Sequence, residues 1–400
     1  MAAALARCEI PSMRTPRVLL AVVSAIGIVV PAALAAPSSA GEQAGESRGG
    51  LGTWSKITNG QVSLTAEPGL FRTSDGVLHV LYRKDHPTYT DLAYSNIAEN
   101  GSVIATGPAI AGWDAVTSDP KVVGSGSGMR VVFGGIRSTE PADPYGTGQM
   151  FSATTNATGT SWTLEPGALT GNHYAVDSYG TGATTLADGT PVVSFPINAT
   201  LTWNAGAGDS TFDFGACCVY DTTLARSGAA VWVSFAANGS SPATAGQFVK
   251  QLLPTVGPTT KAPGSSKGED VSTPLQSTAF VARPAGGLYL AYGTGYPTID
   301  RVALWRVGSA KPVTVPGSKG AREVALAVSP GGRLWVAWMT YTKVKVVATA
   351  ATGTKFGTVH TIGRPHGVSD LYGVSVAATN KVADVFINGG SGLYHQQVKR

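Results

Sequence analysis

The chain has 400 residues, among them 51 Gly and 24 Pro, with only 13% charged side chains and 43% apolar ones. So many helix-interrupting residues exclude a mainly helical protein, while the apolar fraction excludes a disordered chain and its even spread a multispan membrane protein. The net charge of +5, about +3 without the first 35 residues, is too small and scattered for nucleic-acid binding.

Residues 1–35 read as a secretory signal peptide. Arg14 and Arg17 precede the apolar run Val18 to Ala35, and Ala33-Leu34-Ala35 supplies the small residues a signal peptidase needs. An uncleaved N-terminal anchor is the alternative, because the run approaches spanning length. Residues 36–50 are small and polar and read as a disordered tether. The expected location is secreted, with no membrane span after cleavage.

From residue 51 onward a β-hairpin signature recurs: an apolar stretch, a turn, then an alternating aliphatic and aromatic stretch. The seven copies centre on Gly76, Gly128, Gly189, Gly228, Gly287, Gly332 and Asn380, as in LFRTSDGVLHVLY and ALAVSPGGRLWVAW. Their spacing averages about 50 residues, which in an all-β chain predicts a propeller of seven four-stranded blades, with six as the alternative count. Paired β-sandwiches or a β-helix are the competing architectures. Third and fourth strands are legible as GQMFSAT with TSWTLEP, DRVALWRV with KPVTVPG, and VKVVATA with GTVHTIG. The last unit ends after GLYHQQV, one strand short, while Thr53 to Ile57 offers a spare one. Pairing the two would close the ring and remove both free edges.

Two turns between third and fourth strands carry one octet: Thr155-Asn-Ala-Thr-Gly159-Thr-Ser-Trp162 and Thr349-Ala-Ala-Thr-Gly353-Thr-Lys-Phe356. Both resemble the Asp-box of sialidase-like, BNR-repeat propellers, with Ala157 and Ala351 in place of its Asp. The resemblance implies a secreted bacterial propeller acting on sugars. The family's catalytic set is an arginine triad, a Tyr nucleophile with Glu, and an Asp acid/base. The first arginine's motif is echoed by Phe71-Arg72-Thr73-Ser74, but Asp75-Gly76 follows at once and places Arg72 by the hairpin turn, so the triad is not carried over.

Propeller geometry predicts a mouth where inner strands start and second strands end. Before the inner strands lie Glu67, Asp119, Asp177 with Tyr179, Tyr220 with Asp221, Gln276, Glu323, and Asp370 with Tyr372. After the second strands come Arg83 to His86, Arg137, Asn198, Asn238 and residues 296–301. Carboxylates and tyrosines with a few arginines suit sugar hydroxyls and sugar faces. Glu67, Asp119, Asp177 and Asp221 are the catalytic candidates, because a glycosidase needs two carboxyls about 5 to 10 Å apart. The ligand-binding candidates are Tyr179, Tyr220, Arg83, Arg137, Gln276, Glu323 and Tyr372.

Cys217 and Cys218 are the only cysteines beyond the leader, so a vicinal disulfide at the fourth-blade mouth is expected, against reduced thiols or an intermolecular bridge. The six histidines are dispersed and form no metal-ligand spacing, and no cofactor is implied. Residues 206–213 could offer oxygen ligands to calcium but read better as a plain flexible loop. Gly264-Ser-Ser-Lys-Gly268 lies in a Pro/Ser/Gly-rich loop and is no nucleophile elbow. The expectation is a monomeric propeller that binds a carbohydrate or cell-envelope glycan without turning it over. The alternatives are a sialidase-like glycoside hydrolase or polysaccharide lyase, and a protein-interaction scaffold.

Overall fold

Each of the seven hairpins forms the first and second strands of its own antiparallel sheet in the computed structural model. The structure describes residues 52–400 apart from 59–61, 63–66, 138–147, 171–179, 198, 216–218, 266–278, 296–298 and 300. These fall within one unit, Glu46–Arg400, and contain strands and turns without a helix. The seven sheets are the blades of a seven-bladed β-propeller. The innermost strands are Gly69–Arg72, Lys121–Ser125, Gly182–Thr185, Val219–Ser227, Ala279–Ala282, Glu323–Val328 and Gly373–Ala378. The signal peptide and tether predicted for residues 1–50 lie outside the described residues.

Second strands are sandwiched between neighbouring blades and bury both faces. Leu334–Met339, sequence LWVAWM, is buried at every position, which is why its run is continuously apolar instead of alternating. Outermost strands have one solvated face: in Val103–Ile110 exposed and partly buried residues alternate, and Pro108 is tolerated there because an outer edge has amides to spare. The buried apolar residues form seven clusters, one for each blade-to-blade seam. Trp335 and Trp338 are fully buried in the two seams of the sixth blade, where they pack between blades.

The seventh blade is completed by the N-terminal strand. Ser55–Lys56 pairs with Leu393–Lys399 through Ser55↔His395 and Lys56↔Tyr394, and the Ile57 amide donates to the Leu393 carbonyl at 2.9 Å. Ile57 is buried in the seam that joins the seventh blade to the first, beside Phe386 and Leu393. The same seam carries a buried polar network at its other end. Asp384, wholly buried, accepts hydrogen bonds from Arg72 Nη2 at 2.5 Å, His395 Nε2 at 2.9 Å and Gln397 Nε2 at 3.0 Å. Arg72 therefore ties the ring shut at the hairpin end of the first blade, away from the mouth, where the sequence placed it.

Two details depart from the expected pattern, and a third, the octet turn, follows it. The second blade has an extra two-residue strand, Ala115–Val116, that pairs beside the inner strand on Gly128–Ile136. Residues 206–213 are not a flexible loop: Asp209–Asp213 is the outer strand of the third blade, and Asn204 Nδ2 donates to Asp209 Oδ1 at 2.9 Å across its turn. The octet at 155–162 makes a tight turn in which Thr155 Oγ1 donates to the Ser161 carbonyl at 2.6 Å. Its Gly159 has φ +62°, and a Cβ there would lie 2.3 Å from His79 Nδ1, so only glycine fits. Trp162 packs onto the seam between the first and second blades.

Candidate functional site

Antiparallel meanders force every inner strand to begin at the same end of the axis, and side chains just before or at those starts converge there. Lys121, first residue of its strand, places Nζ 3.4 Å from Glu67 Oε2. The Glu67 backbone amide donates to the Asp119 carboxylate, and Arg83 Nη1, near the end of a second strand, lies 3.8 Å from Asp119 Oδ1. Glu323 Oε1 accepts from the Val374 amide at 3.4 Å, and its carboxyl hydrogen-bonds that of Glu67. Asp221 acts electrostatically on both Lys121 and Glu323. Three carboxyls from the first, second and fourth blades thus act on one ammonium, and a fourth, Glu323 of the sixth blade, joins them through Glu67 and Asp221.

Asp221 is held there by an irregular backbone. Its φ of +51° makes it the one non-glycine residue with positive φ among those described, within a bulge between Tyr220 and Thr223. Bulges and left-handed residues of this kind redirect a side chain at some local strain. The anchor is Gly180: its carbonyl accepts from the Thr222 amide at 3.0 Å and from Thr222 Oγ1 at 2.8 Å. A Cβ on Gly180 would sit 2.3 Å from the Asp221 Cα, so glycine is required by close backbone approach.

Burial sets the protonation of this group. Asp119 is 5% exposed and Glu323 7%. Loss of solvation raises the Asp119 carboxyl to about 7; Glu67 adds to the rise, and Lys121 and Arg83 restrain it. The Glu323 carboxyl is pushed well above the usual range, first by burial and then by the charge of Glu67 and Asp221. Burial would lower the Lys121 ammonium, but Glu67, Asp119 and Asp221 outweigh it and raise it. At neutral pH the group therefore presents, at Asp119 and Glu323, carboxyls that keep protons to donate, beside a charged lysine. Below them a cavity of about 170 Å³ runs along the inner strands and is lined by Glu67, Lys121 and Asp221, then by Leu70, Phe280 and Leu326.

Around this axial group the same face carries exposed tyrosines. Tyr89 (41% exposed) lies in the loop between the second and third strands of the first blade, Tyr341 (65%) in the equivalent loop of the sixth, and Tyr372 (43%) just before the seventh inner strand. Tyr89 stacks on His86 with centroids 4.1 Å apart and planes at 12°, beside a cavity of about 550 Å³ lined also by Asp85 and Asp114. The Arg322 guanidinium lies 3.8 Å from the Tyr341 ring centroid. The Tyr89 and Tyr341 rings are thus each backed by a neighbouring side chain while remaining exposed, an arrangement that can stack on a flat partner.

Of the residues expected at the mouth, the structure gathers Glu67, Arg83, Asp119, Asp221 and Glu323 into one contact group. Tyr372 stands on the rim. Tyr220 is half-buried in its strand, opposite Ala236. Arg137 does not join the axial group; its guanidinium covers the Trp113 ring at 4.8 Å, because the buried indole in the adjoining seam offers it a face. Asp177, Tyr179, Gln276, Cys217 and Cys218 lie outside the described residues. Sequence reasoning missed Lys121, Arg322, Tyr341 and Tyr89, although the rule that found Asp119 and Glu323 also covers Lys121 and Tyr341. Among the described residues no set of three His, Cys, Asp or Glu side chains is arranged to hold a metal ion.

The fold and this axial site define the chain as a seven-bladed propeller with an acidic mouth. No protein-family model matches the sequence, and no curated protein matches it. Solved structures do match in fold. A streptogramin B lyase aligns with a TM-score of 0.52 at 11% identity, over 87% of this chain and 97% of that one. The virginiamycin B lyase of Staphylococcus aureus aligns with a TM-score of 0.51 at 12% identity, over 86% and 97%. A Hadza microbial sialidase aligns with a TM-score of 0.50 at 12% identity over 83% of this chain, which spans 65% of the sialidase's length. These likenesses establish the architecture.

Proposed function

We propose that the protein is a secreted propeller that binds a hydroxyl-rich glycan, such as a cell-envelope polysaccharide, at its mouth. The observation that carries this reading is the coincidence on one face of a mixed donor and acceptor group at the axis with three exposed tyrosines around it. Sugar hydroxyls each donate and accept, and carboxyls that keep their protons near neutrality pair with them in both senses. Aromatic faces supply the apolar contact that sugar rings require. Secretion rests on the leader pattern of residues 1–35, and the octet turns are read as degenerate Asp-boxes that serve folding. The vicinal disulfide of Cys217 and Cys218 belongs to the same reading as a rigid element at the fourth-blade rim.

A second reading, glycan cleavage by hydrolysis or elimination, is favoured by one observation. Asp119 holds a proton up to about pH 7 while Glu67 and Asp221 lie in the same group, the division of labour between acid and base that sugar chemistry uses. A glycan panel screened for both binding and product release, with the wild type and Asp119→Asn, Asp221→Asn and Tyr341→Ala variants, separates the readings. Retained binding of Asp119→Asn with no product from wild type supports the binding module. Product formation abolished by Asp119→Asn supports the enzyme. Binding that is absent from wild type, or unaffected by all three substitutions, would refute the mouth as the site.

A further inference from the structure

The hairpin end of the propeller, opposite the mouth, holds a second site, lined by basic side chains. Between the sixth and seventh blades lies an open groove of about 550 Å³ lined by Arg333, Lys355, His360 and Arg400, with Thr349 and Thr358 between them. No acidic side chain lines it. Among the described residues none of these four basic groups makes an ion pair. Arg333 is fixed in place: its Nη1 donates to the Thr349 carbonyl, which leaves its remaining donors for a ligand. Arg333 and Arg400 repel one another, and burial followed by that repulsion lowers the Arg333 guanidinium from its ordinary value. Like charges brought together are stabilised when an anion sits between them.

The spacing argues for a polymer over a single oxyanion. Lys355, in the turn just before the outer strand Phe356–Gly363, and His360 within that strand stand five positions apart, a separation on the order of 15 Å, and Arg333 and Arg400 line the same groove. A chain carrying a negative group on successive sugar units can meet Lys355, Arg333 and Arg400 together with the imidazole of His360 along such a span, whereas one sulfate or phosphate ion reaches only one end. The geometry points to a binding site for an anionic polysaccharide, bearing carboxylate or sulfate groups, in the groove between the sixth and seventh blades. This site is separate from the mouth and stands or falls independently of the function proposed for it.

The test uses the full chain and two polymers that share the chemistry but differ in the anion, polygalacturonate and heparin, with dextran as the neutral reference. Binding is measured by calorimetry at 50 and 300 mM salt. Binding to either acidic polymer, weakened by salt, with dextran inert, is expected; which of the two binds identifies the anion. Lys355→Glu and Arg400→Glu, both at exposed positions, are each expected to weaken it at least tenfold. Lys311→Glu, an equally exposed cation on the fifth blade, should change it less than twofold, and Asp119→Asn should leave it unchanged. Equal losses from Lys311→Glu would reduce the effect to net charge and overturn the site. Absence of binding to both acidic polymers, or dextran binding as tightly, would overturn it as well.

Discussion

Replacing Asp384 by Asn tests whether the seam between the last and first blades is held shut by its buried ion pair. Asp384 has no solvent exposure and receives three donors, one of them the Arg72 guanidinium from the far end of the described chain. The substitution preserves volume but leaves Arg72, 15% exposed at its side chain, without its counter-charge. Removing one partner of a buried pair costs about 3 to 5 kcal/mol, and the residual exposure of Arg72 places the expected loss near the lower figure. For a domain of about 350 residues, an unfolding entropy of ~2 cal/mol/K per residue converts ~3 kcal/mol into a drop of roughly 4 °C in Tm. Calorimetry of the wild type, Asp384→Asn, Arg72→Met and the double variant forms a cycle. A coupling energy above about 1 kcal/mol is expected for groups in direct contact. Single losses below about 1 kcal/mol, or additive effects, would refute the claim that this pair secures closure.

Further outcomes follow from the mouth and the closing strand. Asp119 has a folded pKa of about 7, above its unfolded value near 4; the unfolded chain therefore releases this proton first. Stability contributed by the neutral acid is full below pH 4 and declines as pH rises towards 7, so Asp119→Asn should flatten the fall in denaturation midpoint across that window. An unchanged slope would contradict the assigned burial. Gly180→Ala should destabilise by about 2 kcal/mol or more, through its φ of +87° and the clash with Asp221, and should weaken mouth binding at the same time; wild-type stability would remove the argument for glycine. Ile57→Ala, at a position 3% exposed in the closing seam, is expected to lose about 2 to 4 kcal/mol by calorimetry. Deleting residues 1–58 should expose the edge of Leu393–Lys399 and produce concentration-dependent association in sedimentation, and a monomeric product would count against closure by that strand.

The hairpin at Gly332 illustrates what a local signal can carry. Its turn and flanking alternation specify two paired strands whatever surrounds them, and the structure pairs Val328 with Leu334 accordingly. Counting strand directions from such turns then puts Glu67, Asp119 and Glu323 at one end of the axis. The extra strand Ala115–Val116 was not legible, because two residues carry no periodicity. Arg137 stands after a second strand, as its position in the sequence implies, but the indole face that holds its guanidinium belongs to Trp113, on a separate segment of the chain, and no local pattern announces it.

What the sequence determined by itself is the wheel: seven turns, the alternation beside them, and the missing outer strand matched by a spare one at the start, all of which are short-range properties. What only the tertiary structure decided is the chemistry at the hub and rim. The shared hydrogen bond of Glu67 and Glu323, the raised acid at Asp119 and the mutual repulsion of Arg333 and Arg400 arise between blades. Their cause is desolvation and charge proximity, which depend on the distance between segments that closure brings together and on no pattern within any one of them.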